Sequence, residues 1–266
     1  MVSSGQTEGK RMKSSEISFL KYSDGEWQQQ TGPLPVEQAV TLIINGKPWM
    51  EMRCTPAMIA ELAVGFLYNE RLINSAEDIT RVHACETADF VEVDTALPIN
   101  KPTTWIKTTG CGGGQTAQRL EQPEKPSLNE AVLSAETVAG SLAEFLETQH
   151  AQTSSRGIHC SAISDGEKIL VLADDIGRHN TLDKLMGFIL LREPSQKPSI
   201  LLTTGRISSE MLQKSARMGV SVVISLTSPN TATVELAQEM AITLIGYARG
   251  SRFNVYSHPE RFTDLS

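Results

Sequence analysis

A chain of 266 residues, 40% of them hydrophobic, carries a formal charge of −7 and a pI near 5.3. That balance argues against a general nucleic-acid binder, and no apolar run approaches the length of a membrane span. The start, MVSSGQTEGKRMKSSE, lacks the apolar core of a signal peptide, so a cytoplasmic protein with no membrane or nucleic-acid partner is expected. The length favours two domains over one.

Residues 1–16 read as a disordered polar tail. The strand VTLII, the Asn45-Gly46 turn and the return strand PWMEMRC predict a hairpin. Thr55-Pro56 then offers an N-cap and a proline at the first helical position. The helix that follows carries Ile59, Leu62, Ala63, Phe66 and Leu67 on one face, a core stripe. With DFVEVD and TWIKTT as later strands, residues 17–122 make a small α+β domain.

From Ser127 the pattern changes. Ser127 with Glu130, and then Ser134, offer helix starts that lead to Val138, Leu142, Phe145 and Leu146. The linker QPEKPS marks the boundary, and residues 123–266 form the second domain. GIHCSAI and KILVLAD flank Asp165-Gly166 as a hairpin, and a helix bearing Leu182, Leu185, Met186, Ile189 and Leu190 follows. SILLTT, SSEMLQKSARMG, VSVVISL, TATVELAQEMA and ITLIGY then alternate strand and helix, and RFNVYS can add a last strand. That order predicts an α/β fold with a largely parallel sheet covered by helices on both faces.

Ligands of open α/β sheets bind beyond the carboxyl ends of the strands. The segments there are DDIGRHNTLDK, GRISSE, TSPNT and ARGSR. Asn180 with Asp183, Ser208, and Thr227 or Ser228 read as helix caps. Arg178, Arg206, Arg249 and Arg252, together with His179, are not needed for capping and point to a multiply charged anion such as a phosphate or pyrophosphate. His159 and Cys160 adjoin on a strand and face opposite sides. With no H-x-E or P-C-x-x-C, a zinc site is not expected, nor is a G-x-S-x-G nucleophile present.

Cys54, Cys85, Cys111 and Cys160 form no CxxC pair, and in a reducing compartment they are expected as free thiols. Cys54, Cys85 and Cys160 adjoin strand-like sequence and read as buried and inert. Cys111 differs: it lies in TTGCGGGQ, with Gly110 before it and Gly112, Gly113 and Gly114 after it. Glycines leave that thiol unshielded and its backbone free to visit several conformations. A thiolate that accepts sulfur from one protein and delivers it to another must reach two sites, so sulfur handling suits this loop better than fixed hydrolytic chemistry.

RCTPAMIAELAVGFLYNE, TTGCGGG, GIHCSA, DDIGRHNTLDKLMG, TTGRISSEMLQKSA, TSPNTATVELA and GYARGSRFNVYSHPERF closely resemble the FdhD/NarQ family from about Val40 to Phe262. The resemblance implies a sulfur carrier needed for active formate dehydrogenase, with a cytidine-deaminase-like α/β C-terminal domain and a cytoplasmic homodimer. It also implies sulfurtransferase chemistry: sulfur passes from a cysteine desulfurase, by way of a persulfide, to the molybdenum cofactor (Mo-bis-molybdopterin guanine dinucleotide), with GDP as an analogue of the bound portion. By motif, Cys111 bears the persulfide, and Tyr247, Ala248, Arg249, Gly250, Ser251 and Arg252 bind cofactor, alongside Arg178, His179 and Arg206. Well-known members of that family have a CxxC pair in the loop, whereas Gly114 stands at its second position here. A non-catalytic chaperone that docks a nucleotide cofactor is the alternative.

Overall fold

The computed structural model of the chain describes residues 14–102, 106–107, 115–116, 128–152 and 157–265. Its first element is a hairpin of β1 (Ser14–Ser23) and β2 (Glu26–Pro35). The strands turn at Asp24 and Gly25, both at positive φ (54° and 90°), as Asp-Gly hairpin turns require. Ser14, Ser15 and Glu16, assigned above to the tail, therefore open a strand.

The small sheet runs β4 (Lys47–Cys54), β3 (Gln38–Ile44), β6 (Phe90–Thr95), β5 (Ile79–Ala84). The central β3–β6 pair is parallel and the outer pairs are antiparallel. The helix α1 (Ile59–Asn69) lays Ile59, Leu62, Ala63, Phe66 and Leu67 against Val40, Leu42, Ile44, Val91 and Val93. Each such side chain, fully buried, contributes roughly 1.5–3 kcal/mol. Thr55 does not cap this helix, whose N-cap is Met58. The Thr55 N–H is instead donated to the Asp175 carboxylate, 3.1 Å away and 120 residues on. Two short strands, β7 (Ile106–Lys107) and β8 (Gln115–Thr116), pair antiparallel, with Lys107 opposite Gln115.

Past the QPEKPS linker, which lies outside the described residues, α2 (Ala135–Gln152) begins with the Ser134 hydroxyl accepting from the Thr137 N–H at 3.0 Å. The second sheet has six strands in the order β10 (Ile169–Asp175), β9 (His159–Ser164), β11 (Ile200–Thr203), β12 (Val222–Ser225), β13 (Thr243–Arg249), β14 (Arg252–Val255). Only β11, β12 and β13 are mutually parallel; β10, β9 and β14 join antiparallel. The expected largely parallel sheet thus reduces to a parallel centre, because both flanking pairs are closed by short hairpins rather than by crossover helices.

Three helices, α3 (Arg178–Arg192), α4 (Ser209–Arg217) and α5 (Thr231–Glu239), cover one face of this sheet. Val138, Leu142 and Phe145 of α2 cover the other. Alternation along the strands serves both sides: Leu201 and Val223 face the three helices, while Ile200, Leu202, Val222 and Ile224 face α2. The small sheet joins through α1, which crosses α3 backbone to backbone. A Cβ on Gly65 would sit 1.8 Å from the Asp183 carbonyl oxygen, and one on Gly187 would sit 1.9 Å from that of Glu61.

Candidate functional site

The carboxyl end of β10 is held by a buried ionic network. Asp175 and Lys184 are both fully buried and pair at 2.6 Å. Lys184 also donates to the carbonyls of Thr55 (3.1 Å) and Asp174 (2.9 Å). The Asp175 carboxylate accepts from Gly177 N–H and the Asn180 amide, both at 2.8 Å, besides Thr55. A turn lower on α3, Asp183 accepts from Lys214 of α4 at 2.8 Å and from Asn69 at 2.7 Å. The two charged residues that close the GRHN-x-x-DK block therefore tie α1, α3 and α4 together and leave no charge to spare for a ligand. Asn180 and Asp183 are not caps as expected, since Gly177 occupies the N-cap of α3. Ser208 does cap α4, accepting from Met211 N–H. At α5 the cap is Asn230 rather than Thr227 or Ser228, because its side chain accepts from Thr233 N–H at 2.8 Å.

Anchoring Asp175 fixes the first turn of α3 and, with it, Arg178 and His179. Arg178 is buried with its side chain packed on Gly205, where a Cβ would meet the Arg178 Cβ at 3.2 Å. The His179 Nε2 stands 3.2 Å from the Glu210 carboxylate. Because β9 runs against β11, its first residue, His159, lies at the same sheet edge, where the Thr204 N–H is donated to the Cys160 carbonyl and the Cys160 N–H to the Thr204 hydroxyl. Burial lowers the His159 pKa; the positive fields of Arg178, His179 and Arg206 lower it further, and Asp175 opposes them. Four of these residues thus share one electropositive environment, and Arg206 is exposed at its rim. His159, at the start of β9, belongs to this cluster.

A second group surrounds the β13–β14 turn. Tyr247, Arg249, Ser251, Arg252 and Asn254, with Ala135 at the start of α2, line an open cavity of about 410 Å³. Arg249 stands opposite Arg252 in the hairpin, and among the described residues no carboxylate lines the space. Tyr247 sits at φ 52°, its N–H donated to the Thr227 carbonyl at 3.0 Å, which turns a half-exposed ring to the cavity. A non-glycine residue held there costs of order 1–3 kcal/mol and is kept in place by its surroundings. Gly250, at φ 56°, makes the turn. Ala248 differs from the rest of the segment, because its side chain is buried in the core facing α2. Two exposed guanidiniums beside an aromatic ring can receive a phosphate-bearing aromatic ligand.

Cys111 lies outside the described residues. Of the other thiols, Cys54 and Cys160 are fully buried. Burial, followed by the field of Asp175, pushes the Cys54 pKa up to about 12, although Lys184 pulls the other way. Cys85 departs from the expected burial: it is only partly covered, and a 3.1 Å contact with the Thr87 hydroxyl lowers its pKa. Among the described residues no three His, Cys, Asp or Glu side chains are placed to hold a metal ion, and no helix is long and apolar enough to cross a membrane.

The profile of the FdhD/NarQ family matches residues 35–263. The chain belongs to that family. A sulfur carrier protein FdhD of Bacillus subtilis (strain 168) is 35% identical over 250 residues, covering 92% of this chain and 95% of the relative. One from Staphylococcus aureus (strain MRSA252) is 32% identical over 252 residues, with the same two coverages. A crystal structure from Desulfotalea psychrophila, described as a formate dehydrogenase accessory protein, superimposes with a TM-score of 0.78 at 25% identity, covering 94% of this chain and 99% of that one. The FdhD/NarQ match includes both arginine groups and both sheets. Asp175, Lys184 and Lys214 went unremarked in the sequence, although paired acid and base residues inside apolar helical stretches are a signal for buried ion pairs.

Proposed function

We propose that this FdhD/NarQ protein is a cytoplasmic sulfur carrier for formate dehydrogenase maturation, acting as a persulfide sulfurtransferase. The Cys111 thiolate attacks the terminal sulfur of a persulfide on a cysteine desulfurase. An S–S bond forms on Cys111 as the desulfurase thiolate leaves. The carried sulfane sulfur would then pass to the metal of the molybdenum cofactor, Mo-bis-molybdopterin guanine dinucleotide, with the reduced metal or a thiol reductant supplying the two electrons that make it a sulfide, as the Cys111 thiolate leaves. The cavity at Tyr247, Arg249, Ser251 and Arg252 is the proposed seat of the guanine nucleotide portion, with Arg178, His179 and Arg206 contributing positive field at the same sheet. Within this reading the six-stranded unit is cytidine-deaminase-like, the protein is a homodimer, and the formate dehydrogenase apoenzyme receives the loaded cofactor.

The observation that carries the nucleotide half of this reading is the pair of exposed arginines facing each other across the hairpin beside an outward-held tyrosine. A hydrogen bond to a charged group contributes about 1.5–3 kcal/mol, so Arg252→Glu should weaken GDP binding by roughly tenfold to a hundredfold or more. Because Arg252 is exposed, its melting temperature should not change. Calorimetric titration with GDP that returns the wild-type affinity would remove the cavity from the proposal.

A further inference from the structure

His159 has no task in the chemistry proposed above, yet the ladder fixes where its ring points. Alternation along β9 puts it on the same face as Ser161 and Ile163. Ile163 packs among the three helices on that face, and the Ser161 hydroxyl stands 2.7 Å from that of Thr181 on α3. One step back along the strand therefore brings His159 against the first turn of α3, which carries Arg178 and His179. Its register partner on one side is Asp175 of β10. On the other side, continuing the pairing of Ser161 with Thr203 brings it level with Gly205, on which the Arg178 side chain packs.

The charged groups around the ring differ in how they can answer a ligand. Arg178 and Arg206 are permanent cations. Asp175 is held by Lys184 at 2.6 Å, and His179 by Glu210 of α4 at 3.2 Å. His159 is only partly covered. Burial and the positive fields of Arg178, His179 and Arg206 work against a proton on its ring, while Asp175 works for one. An anion set against the two guanidiniums turns that field around and favours the charged imidazole. In the sheet β9 lies three strands from β13, about 14 Å at the usual strand spacing. A nucleotide with its base at Tyr247 is long enough to bring its phosphates towards the ends of β11 and β9.

We propose that His159 is the proton-linked member of this site: its imidazole takes one proton from solvent when a diphosphate comes against the cluster, and so becomes a further donor to it. The proposal rests on the reading that a guanine nucleotide lies along these strand ends. A protonated ring donates from both nitrogens, and its bond to a phosphate oxygen is charge-assisted. Binding and proton uptake are then linked, each strengthening the other by the same factor.

Proton NMR of the full chain follows its five histidines, with the His159 signal identified by its loss from His159→Gln. The midpoint of that ring is measured in the free protein, with GDP and with inorganic pyrophosphate. Both ligands are expected to raise it. Each pH unit of rise should make GDP bind about tenfold more tightly below both midpoints than above them. The nucleotide's own phosphates also titrate, so that gain is read as the difference between the wild type and H159Q. A midpoint unmoved by bound GDP, or an H159Q chain whose GDP affinity follows pH as the wild type's does, would overturn the proposal. Should GDP not bind at all, the nucleotide reading falls by itself; pyrophosphate then decides the proposal, which a ring unmoved by it would overturn.

Discussion

Replacing Lys184 with Met tests whether the acid and base residues around α3 serve architecture rather than ligand binding. Lys184 is fully buried and holds three partners: the Asp175 carboxylate at 2.6 Å, the Thr55 carbonyl at 3.1 Å and the Asp174 carbonyl at 2.9 Å. Methionine keeps most of the volume and removes the charge, so Asp175 is left as an uncompensated buried carboxylate. Breaking such a pair from one side costs about 3–5 kcal/mol. For a chain of this size each kcal/mol moves the melting temperature by about 2–4 °C, so a fall of roughly 6–20 °C is expected. Adding Asp175→Asn to K184M should recover a large part of the loss, because an amide tolerates the same hydrogen-bond donors without a counter-charge. Urea denaturation of the single and double variants gives the coupling directly. A K184M loss below about 1 kcal/mol, or no recovery in the double variant, would refute the reasoning.

The helix crossing and the histidine yield two further outcomes. Gly65→Ala or Gly187→Ala brings a methyl within 2 Å of a carbonyl on the facing helix, so each should cost at least the ~1–3 kcal/mol of an overpacked core; thermal melts matching the wild type would contradict the backbone contact. The His159 ring, followed by proton NMR, should titrate below its ordinary 6.5, and Arg178→Gln should raise the midpoint. Since the folded protein then binds that proton less readily than the unfolded chain, this contribution to stability is present above pH 6.5 and is lost as the pH falls from 6.5 through the lowered folded-state pKa. A midpoint at or above 6.5 would contradict the cluster.

What was legible in the sequence were features set by neighbours along the chain. Asn45-Gly46, the α1 stripe and the alternation from Ile200 to Tyr247 depend on residues a few positions apart, and they appear where they were read. Features set by distant partners were not legible. Thr55 reads as a cap until Asp175 claims its amide, and Asn180 reads as a cap until its side chain reaches Asp175 and the Arg53 carbonyl. The β1–β2 hairpin escaped for another reason: with apolar residues on both faces it shows no period-two contrast, although Asp24-Gly25 marked its turn. The arginines at the strand ends divide between a partly buried cluster and an open cavity, a separation set by packing between residues distant along the chain and so not visible in it.

The central claim is that Cys111 carries sulfur. Incubating the protein with a cysteine desulfurase and cysteine, then recording intact mass and the Cys111 peptide, tests it most directly. The account predicts an increment of one sulfur on that peptide, removed by a thiol reductant and absent from Cys111→Ala. An unmodified Cys111, in a protein that still binds GDP and activates formate dehydrogenase, would contradict it and leave a cofactor-docking chaperone instead.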